Sequence, residues 1–194
     1  MKLPDHIDPR IKSRPEYPPV ILHTGRQQQV FIAESDNSPV LKQMFQDSME
    51  IVGAERTLWL TLDHHSLEGG LSQEQAQTQA QAQLASALGQ MPLSTAIYLA
   101  GTEAFMWDVH NWLLALDFAP DQIQLLAPVS HKRRLFCTHC YTLMDNVTQS
   151  PHRCDGCGEL LLVRDHFSRL AGAYVGVCIN AEDRTQVPAA EDVA

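Results

Sequence analysis

Four of the five cysteines in this 194-residue chain form two CxxC pairs near the C-terminal end. Cys137 and Cys140 form the first pair, Cys154 and Cys157 the second, and the spacing is C-x2-C-x13-C-x2-C. A CxxC turn places both sulfur atoms on one side, so two such turns predict a tetrahedral four-thiolate metal site. The flanking short strands cannot bury an adequate core alone, and we expect the metal to fold this region.

The four cysteines suit either zinc or iron, since both metals accept four thiolates. Gly158 follows the second pair, as in rubredoxin-like iron sites, but Tyr141 follows the first pair, where such sites usually carry glycine. This departure favours Zn²⁺ at the four cysteines, with iron as the alternative. We expect neighbouring basic side chains to balance the negative charge of the site, and these are Lys132, Arg133, Arg134 and Arg153.

Three other potential ligands lie near the cysteine pairs. His139 and His152 fall between the outer cysteines, and with four thiols available we interpret both as exposed loop residues. Cys178 lies in the apolar run AYVGVCI and is interpreted as a buried core thiol.

Strand and helix patterns alternate over the first 130 residues. Short apolar strands are predicted over residues 29–34, 56–63, 96–100 and 122–127. Between them, Ser38, Ser72 and Thr102 are predicted to cap three amphipathic helices. This alternation predicts an α/β fold with a mostly parallel sheet covered by helices.

The boundaries predicted from these patterns divide the chain into four regions. Residues 1–19 are a Pro-rich extended arm, residues 20–130 the α/β domain, residues 131–180 a small β zinc ribbon with a C-terminal strand, and residues 181–194 a flexible tail.

Composition and charge exclude several functional classes. Hydrophobic residues make up 44% of the chain and charged residues 19%, which is typical of globular proteins. Residues 1–130 carry 7 basic against 15 acidic side chains, so nucleic-acid binding by this region is not expected. No apolar run approaches the roughly 20 residues of a membrane-spanning helix, and the polar N-terminus does not resemble a signal peptide. We therefore expect a cytoplasmic protein without membrane contact.

The segment IYLAGTEAFMWDVHNWLLALDFAPDQIQLLAP resembles the last strand–helix–strand of the NAD(P)-binding domain in ferredoxin-reductase-type flavoenzymes. Ala100, Gly101 and Thr102 stand where that family usually has Cys-Gly-Pro. The segment VFIAESDNSPVLKQMF occupies the place of the family's phosphate loop, yet it contains no glycine and adds Glu34 and Asp36. Two carboxylates at a pyrophosphate site repel a dinucleotide. We therefore predict a degenerate nucleotide-binding domain that serves as a scaffold.

No catalytic constellation emerges from the remaining residues. Asp165, His166 and Ser168 are too close in sequence to form a relay, and His64 with His65 lacks a third metal ligand. We predict no catalytic and no cofactor-binding residues, and this points to a subunit rather than a complete enzyme.

The cysteine ribbon followed by VRDHFSRLAGAYVGV resembles the small DmmA-type subunit of bacterial dimethylamine monooxygenase. The resemblance implies a complex that uses NADPH and O₂ to oxidise dimethylamine to methylamine and formaldehyde. It also implies a haem-containing subunit and a flavin/iron–sulfur reductase subunit as partners, with this chain as a non-catalytic docking component. The alternatives are a rubredoxin-like iron electron-transfer protein and a regulatory zinc-ribbon protein.

Overall fold

The computed structural model describes residues 13–35, 38–62, 72–183 and 185–193. The chain forms two compact units. The first spans Tyr17–Val129, and the second comprises Ser130 onward together with the residues that precede Tyr17. The pair His64–His65 and the loop residue Asp36 lie outside the described residues.

The 17–129 unit is an α/β domain built on a four-stranded sheet in the order β2-β1-β3-β4, with parallel pairing throughout. Its strands are β1 (Gln28–Ala33), β2 (Thr57–Thr61), β3 (Thr95–Ala100) and β4 (Ile123–Leu125). Its helices are α1 (Pro39–Ile51), α2 (Gln73–Leu88) and α3 (Glu103–Ala115). The predicted parallel α/β arrangement is confirmed.

The predicted caps begin the three helices. The Ser38 hydroxyl accepts a hydrogen bond from the Leu41 backbone, and Thr102 accepts one from Phe105. Ser72 and Gln75 form a capping box at the start of α2. These bonds satisfy backbone N–H groups that have no partner within the helix.

The two faces of the sheet carry separate cores. On one face, strand residues such as Val30 and Ile97 pack with Leu84 from α2 and Phe105 from α3. On the opposite face, Phe31, Tyr98 and other strand residues pack with Leu41 from α1. Helix α1 therefore covers one face, and α2 and α3 cover the other.

The segment before β1 runs past the β4 side of this sheet. The Gln124 side chain on β4 accepts a hydrogen bond from the Ile21 backbone N–H and donates one to the Ile21 carbonyl. Tyr17 packs against the core of α2 and α3, whereas Val20 and Leu22 pack on the α1 face. The segment thus passes from one face to the other around the β4 edge.

The second unit is a small β region whose main sheet has the order β6-β5-β10-β9-β8. Its strands are β5 (Arg133–Cys137), β6 (Leu143–Val147), β7 (Gln149–Ser150), β8 (His152–Arg153), β9 (Leu160–Ser168), β10 (Ala173–Cys178) and β11 (Glu191–Asp192). Strand β11, in the segment predicted as a flexible tail, pairs with β7. Ser13, from the predicted arm, forms a bridge with His166.

Among the described residues, the chain has no helix that is both long and apolar enough to cross a membrane.

Candidate metal centre

The two CxxC pairs form two turns of the same design. In the first turn, Tyr141 donates its backbone N–H to the Cys137 carbonyl, and Cys137 donates its backbone N–H to the Thr142 carbonyl. In the second turn, Gly158 donates its backbone N–H to the Cys154 carbonyl, and Cys154 donates its backbone N–H to the Glu159 carbonyl. Such a turn needs a left-handed residue after its second cysteine, and both turns have one, since φ is 65° at Tyr141 and 74° at Gly158.

The left-handed conformation of Tyr141 weakens the argument that favoured zinc over iron, which rested on tyrosine in place of glycine at this position. A side chain in this region costs about 1–2 kcal/mol relative to glycine, yet the turn closes with tyrosine. The absence of glycine after Cys140 therefore does not prevent a rubredoxin-like turn, and the geometry suits iron as well as zinc.

The four predicted cysteines converge. Their sulfur atoms all lie within 4.8 Å of one another. The Cys137 and Cys157 sulfurs are 3.8 Å apart, and those of Cys140 and Cys154 are 3.5 Å apart. A tetrahedral site with metal–sulfur bonds of about 2.3 Å has sulfur–sulfur edges of about 3.8 Å. The donor set and its spacing thus fit a four-thiolate metal ion.

Hydrogen bonds, burial and the neighbouring thiols shift the pKa values of these cysteines in different directions. Hydrogen bonds from Thr142 lower the pKa of Cys140 to about 6. Burial raises the pKa of Cys137. At Cys157 the backbone N–H of Glu159 lowers the pKa, but burial and the three neighbouring thiols outweigh it and raise the pKa to about 12. A divalent cation removes this competition for protons, since thiolates are the ligating form.

Thr142 and Gly156 lie where the two turns approach each other. The sequence analysis assigned this role to neither residue. The Thr142 hydroxyl lies 3.2 Å from the Cys140 sulfur. A Cβ atom at Gly156 would lie 2.2 Å from that hydroxyl and 3.2 Å from the same sulfur. Glycine is therefore required at this position by close approach of the two turns, whereas at Gly158 it is favoured by its positive φ.

Both parts of the chain match models of one protein family. Residues 9–123 match the N-terminal domain of the dimethylamine monooxygenase subunit DmmA-like family, and residues 134–177 match its C-terminal domain. The chain belongs to the DmmA-like family. The second match contains all four cysteines.

A curated relative gives this family assignment a biochemical context. The DmmA-like chain is 38% identical over 88 residues to the heme-dependent oxidative N-demethylase delta subunit of Ectopseudomonas mendocina (strain ymp). The aligned region covers 45% of this chain and 50% of that relative, so the chain spans about half the length of the relative it matches. No solved structure matches the chain.

Of the four basic residues expected to balance the thiolates in this DmmA-like chain, two pair with carboxylates instead. Arg133 and Arg134 are buried and pair with carboxylates, Arg133 with Asp165 at 3.1 Å and Arg134 with Asp145 at 2.6 Å. Arg153 does contact the second turn, since it donates a hydrogen bond to the Gly158 carbonyl at 2.7 Å.

Two minor predictions near the site are wrong. His152 lies on strand β8 and is half-buried, because the second cysteine turn is entered from a short strand rather than from a loop. Cys178 is also half-buried, and its thiol lies 3.3 Å from a Glu159 carboxylate oxygen. It lies at the end of β10, where the apolar run leaves the sheet. His139 is exposed, as predicted.

Asp165, from the RDHFSR segment, forms ion pairs with two arginines. It accepts hydrogen bonds from Arg14 at 2.7 Å and from Arg133 at 3.1 Å. Burial raises the pKa of Asp165, but the hydrogen bonds and positive charges of the two arginines outweigh burial and lower it overall. The Arg133 guanidinium also lies 4.3 Å from the centre of the Tyr174 ring. These contacts link the N-terminal segment to strands β5, β9 and β10.

An internal contact lies at the place where a parallel α/β sheet binds nucleotides. Strands β1 and β3 are neighbours but lead to helices on opposite faces, and ligands bind beyond the carboxyl ends of such strands. Here the Glu34 carboxylate accepts hydrogen bonds from the backbone N–H and the hydroxyl of Thr102. A Cβ at Gly101 would lie 2.7 Å from the Glu34 carboxylate. Glycine at 101 thus makes room for a side chain of the protein itself.

Proposed function

We propose that this chain is a non-catalytic, zinc-binding subunit of a haem-dependent, NADPH-consuming monooxygenase that demethylates dimethylamine. Membership in the DmmA-like family carries this proposal, because both halves of the chain match the family. In the complex, the chain joins a haem-containing subunit to a flavin/iron–sulfur reductase subunit. Oxygen activation and electron transfer take place on those partners in the cytoplasm.

Zn²⁺ held by Cys137, Cys140, Cys154 and Cys157 has a structural role in this proposal. Four thiolate ligands would complete a tetrahedral coordination of zinc and leave no open position for substrate. Bound zinc would supply the free energy that folds the ribbon, since the unit around it is small.

Iron is the second candidate, and a specific observation favours it. Both turns have the left-handed residue of a rubredoxin-like site, including Tyr141. In this alternative the chain transfers single electrons, because four-thiolate iron cycles between two oxidation states. Elemental analysis with a visible spectrum distinguishes the two: one zinc per colourless chain supports the structural role, and one iron per red chain supports electron transfer.

The 17–129 domain acts in this proposal as a degenerate reductase-type nucleotide-binding scaffold. Support comes from the parallel sheet and from Glu34, which uses the crevice between β1 and β3 for an internal contact. The domain has three basic against twelve acidic side chains, so neither dinucleotides nor nucleic acids are expected ligands.

Reconstitution tests the subunit role. The chain is co-expressed with the haem and reductase subunits, and demethylation of dimethylamine is measured with and without it. We expect stable co-purification and a loss of activity when the chain is omitted. Full activity of the other subunits alone, with no association, would contradict the proposal.

A further inference from the structure

The two edges of the sheet in the 17–129 unit differ in their protection. Strand β4, at one edge, has three residues and lies beside the segment before β1, whose Ile21 backbone bonds the Gln124 side chain. Strand β2, at the other edge, pairs only with β1 among the described residues. Residues 57–60 of β2 are half-buried and Thr61 is exposed. An unpaired edge of this kind is a template for pairing with another chain.

Strand β2 lacks the features that normally prevent such pairing. Its sequence is Thr-Leu-Trp-Leu-Thr, which contains neither a charged residue nor proline. Its register with β1 is continuous from Thr57 to Thr61, so no bulge bends the strand away. Proteins usually protect a sheet edge by charges, proline or a bulge, or cover it with another segment. We therefore expect the edge of β2 to be paired in solution.

The direction of the backbone hydrogen bonds shows which groups of β2 point outward. Leu62, next to the strand, donates its N–H to the Ala33 carbonyl at the end of β1. Because the bonding direction alternates from residue to residue, the even-numbered residues of β2 face β1. The N–H and C=O groups of Thr57, Trp59 and Thr61 therefore face away from the sheet.

Two of these outward groups already have partners within the chain. The Thr57 N–H donates to the Ala54 carbonyl, and the Gln83 side-chain amide donates to the Thr61 carbonyl at 3.5 Å. The outward groups that remain are the Thr57 carbonyl, both backbone groups of Trp59 and the Thr61 N–H.

The remaining groups are complementary to themselves about a twofold axis. The sequence of β2 reads the same in both directions, so antiparallel pairing centred on Trp59 places Thr57 of one copy opposite Thr61 of the second copy. The two Trp59 residues then exchange N–H to C=O hydrogen bonds, and each Thr61 N–H meets a Thr57 carbonyl. The groups that face each other without bonding are the Thr57 N–H and the Thr61 carbonyl, which are those already bonded within each chain.

We propose that two copies of this chain pair through β2, antiparallel and centred on Trp59, and so form one continuous sheet. The two Trp59 side chains lie opposite each other on the α1 face. On the other face, Leu58 of each copy lies opposite Leu60 of the second copy. Aromatic and aliphatic pairs across strands stabilise such a contact, and a closed twofold dimer is the commonest symmetric assembly. The pairing concerns this chain alone and does not depend on the proposed subunit role.

Amide hydrogen exchange of the wild-type chain, followed by NMR at low and high protein concentration, tests the pairing directly. We expect the Trp59 and Thr61 amides to exchange slowly only at high concentration, whereas those of Leu58 and Leu60, which face β1, are protected at both. The molar mass measured by sedimentation should double over the same range. Because each copy has a formal net charge of −9, higher salt should strengthen the association.

Two matched variants of the full chain test the strand itself. Thr61→Pro removes an outward N–H, a change that an edge strand tolerates, whereas Thr61→Val keeps this N–H and removes only the hydroxyl. We expect T61P to weaken dimerisation at least about tenfold, because the bond is lost on both copies, and T61V to weaken it less than about twofold.

Several outcomes would overturn the pairing. A wild-type chain that stays monomeric at high concentration would do so, and so would a dimer that T61P leaves unchanged, because the copies would then meet elsewhere. Slow exchange of the Trp59 and Thr61 amides in the monomer would show that another segment of the same chain covers the edge. Association that salt weakens would indicate an interface of opposite charges instead. If T61P does not fold, the concentration dependence of exchange in the wild type decides.

Discussion

The Glu34 carboxylate, at the end of β1, hydrogen-bonds both the backbone N–H and the hydroxyl of Thr102, where α3 begins. An anion at a helix N-terminus is favourable, and in nucleotide-binding domains a ligand phosphate supplies it. In this chain a side chain supplies it instead. The contact also fixes the ends of β1 and β3 relative to each other.

Replacement of Glu34 by Gln removes the charge and keeps the shape. We expect the free energy of unfolding to fall by about 1 kcal/mol, because the hydrogen bonds lose their ionic character. Urea denaturation measures the change, with Glu50→Gln on the exposed side of α1 as the control. Equal stability of the two variants would show that the contact is energetically neutral. In the wild type we expect no saturable NADPH binding by calorimetry.

The Thr142 hydroxyl should matter for metal affinity. Thr142→Val removes its contact with the Cys140 sulfur, and outer contacts of this kind are typically worth about 10–100-fold in metal binding. Competition with a chromophoric chelator measures the loss. Thr142→Ser keeps a hydroxyl and should restore most of the affinity; if T142S binds as weakly as T142V, the methyl group rather than the hydroxyl is responsible.

Replacement by alanine should have different effects at the two glycines of the second cysteine turn. Gly156→Ala creates a contact of 2.2 Å with Thr142, so we expect weaker metal binding. Gly158→Ala meets no atom within 4 Å, and only its φ of 74° is unfavourable, at a cost of about 1–2 kcal/mol in stability. Chelator competition and thermal unfolding are measured on both. A reversed order of metal affinities would mean that Thr142 yields easily.

The Asp165 ion pairs should stabilise the ribbon unit. Asp165→Ala removes the carboxylate that the buried Arg133 contacts, and we expect a loss of about 3 kcal/mol in the free energy of unfolding. Arg14→Ala, at the more exposed partner, should cost less than about 1 kcal/mol. Because the pKa of Asp165 is lowered by folding, this stabilisation is complete above about pH 4, the unfolded value, and is lost as pH falls below it. Denaturation at pH 8 and pH 5 should therefore give the same difference between the wild type and D165A. A difference that shrinks over this range would contradict the assignment.

Loss of one metal ligand should unfold one unit. Cys154→Ala leaves three thiols, and we expect the β5–β10 region to lose its protection from hydrogen exchange while residues 28–33 and 95–100 keep theirs. Cys178→Ala, outside the cluster, is the control. Equal loss of protection in both units would show that they unfold as one.

Short-range patterns predicted a large part of this structure. Ser38, Ser72 and Thr102 begin helices where expected, because a cap depends on residues three positions apart. The apolar runs form parallel strands, because short buried runs between helices have few other arrangements. The cysteine pairs converge for a similar reason, since each turn closes locally and the two turns share a ribbon.

Contacts between residues distant in sequence were decided by the tertiary structure. Arg133 and Arg134 stand close to Cys137 in the sequence and were therefore expected to balance the thiolates. The pleat and register of β5 direct them to Asp165 and Asp145 instead. Tyr141 adopts a glycine-like φ because the surrounding hydrogen bonds of the turn outweigh its own preference. The sequence by itself determined the donor atoms and the order of strands and helices, which depend on residue type and spacing. Only the packed chain determined that Glu34 bonds Thr102 beyond the ends of β1 and β3, because this depends on which elements become neighbours.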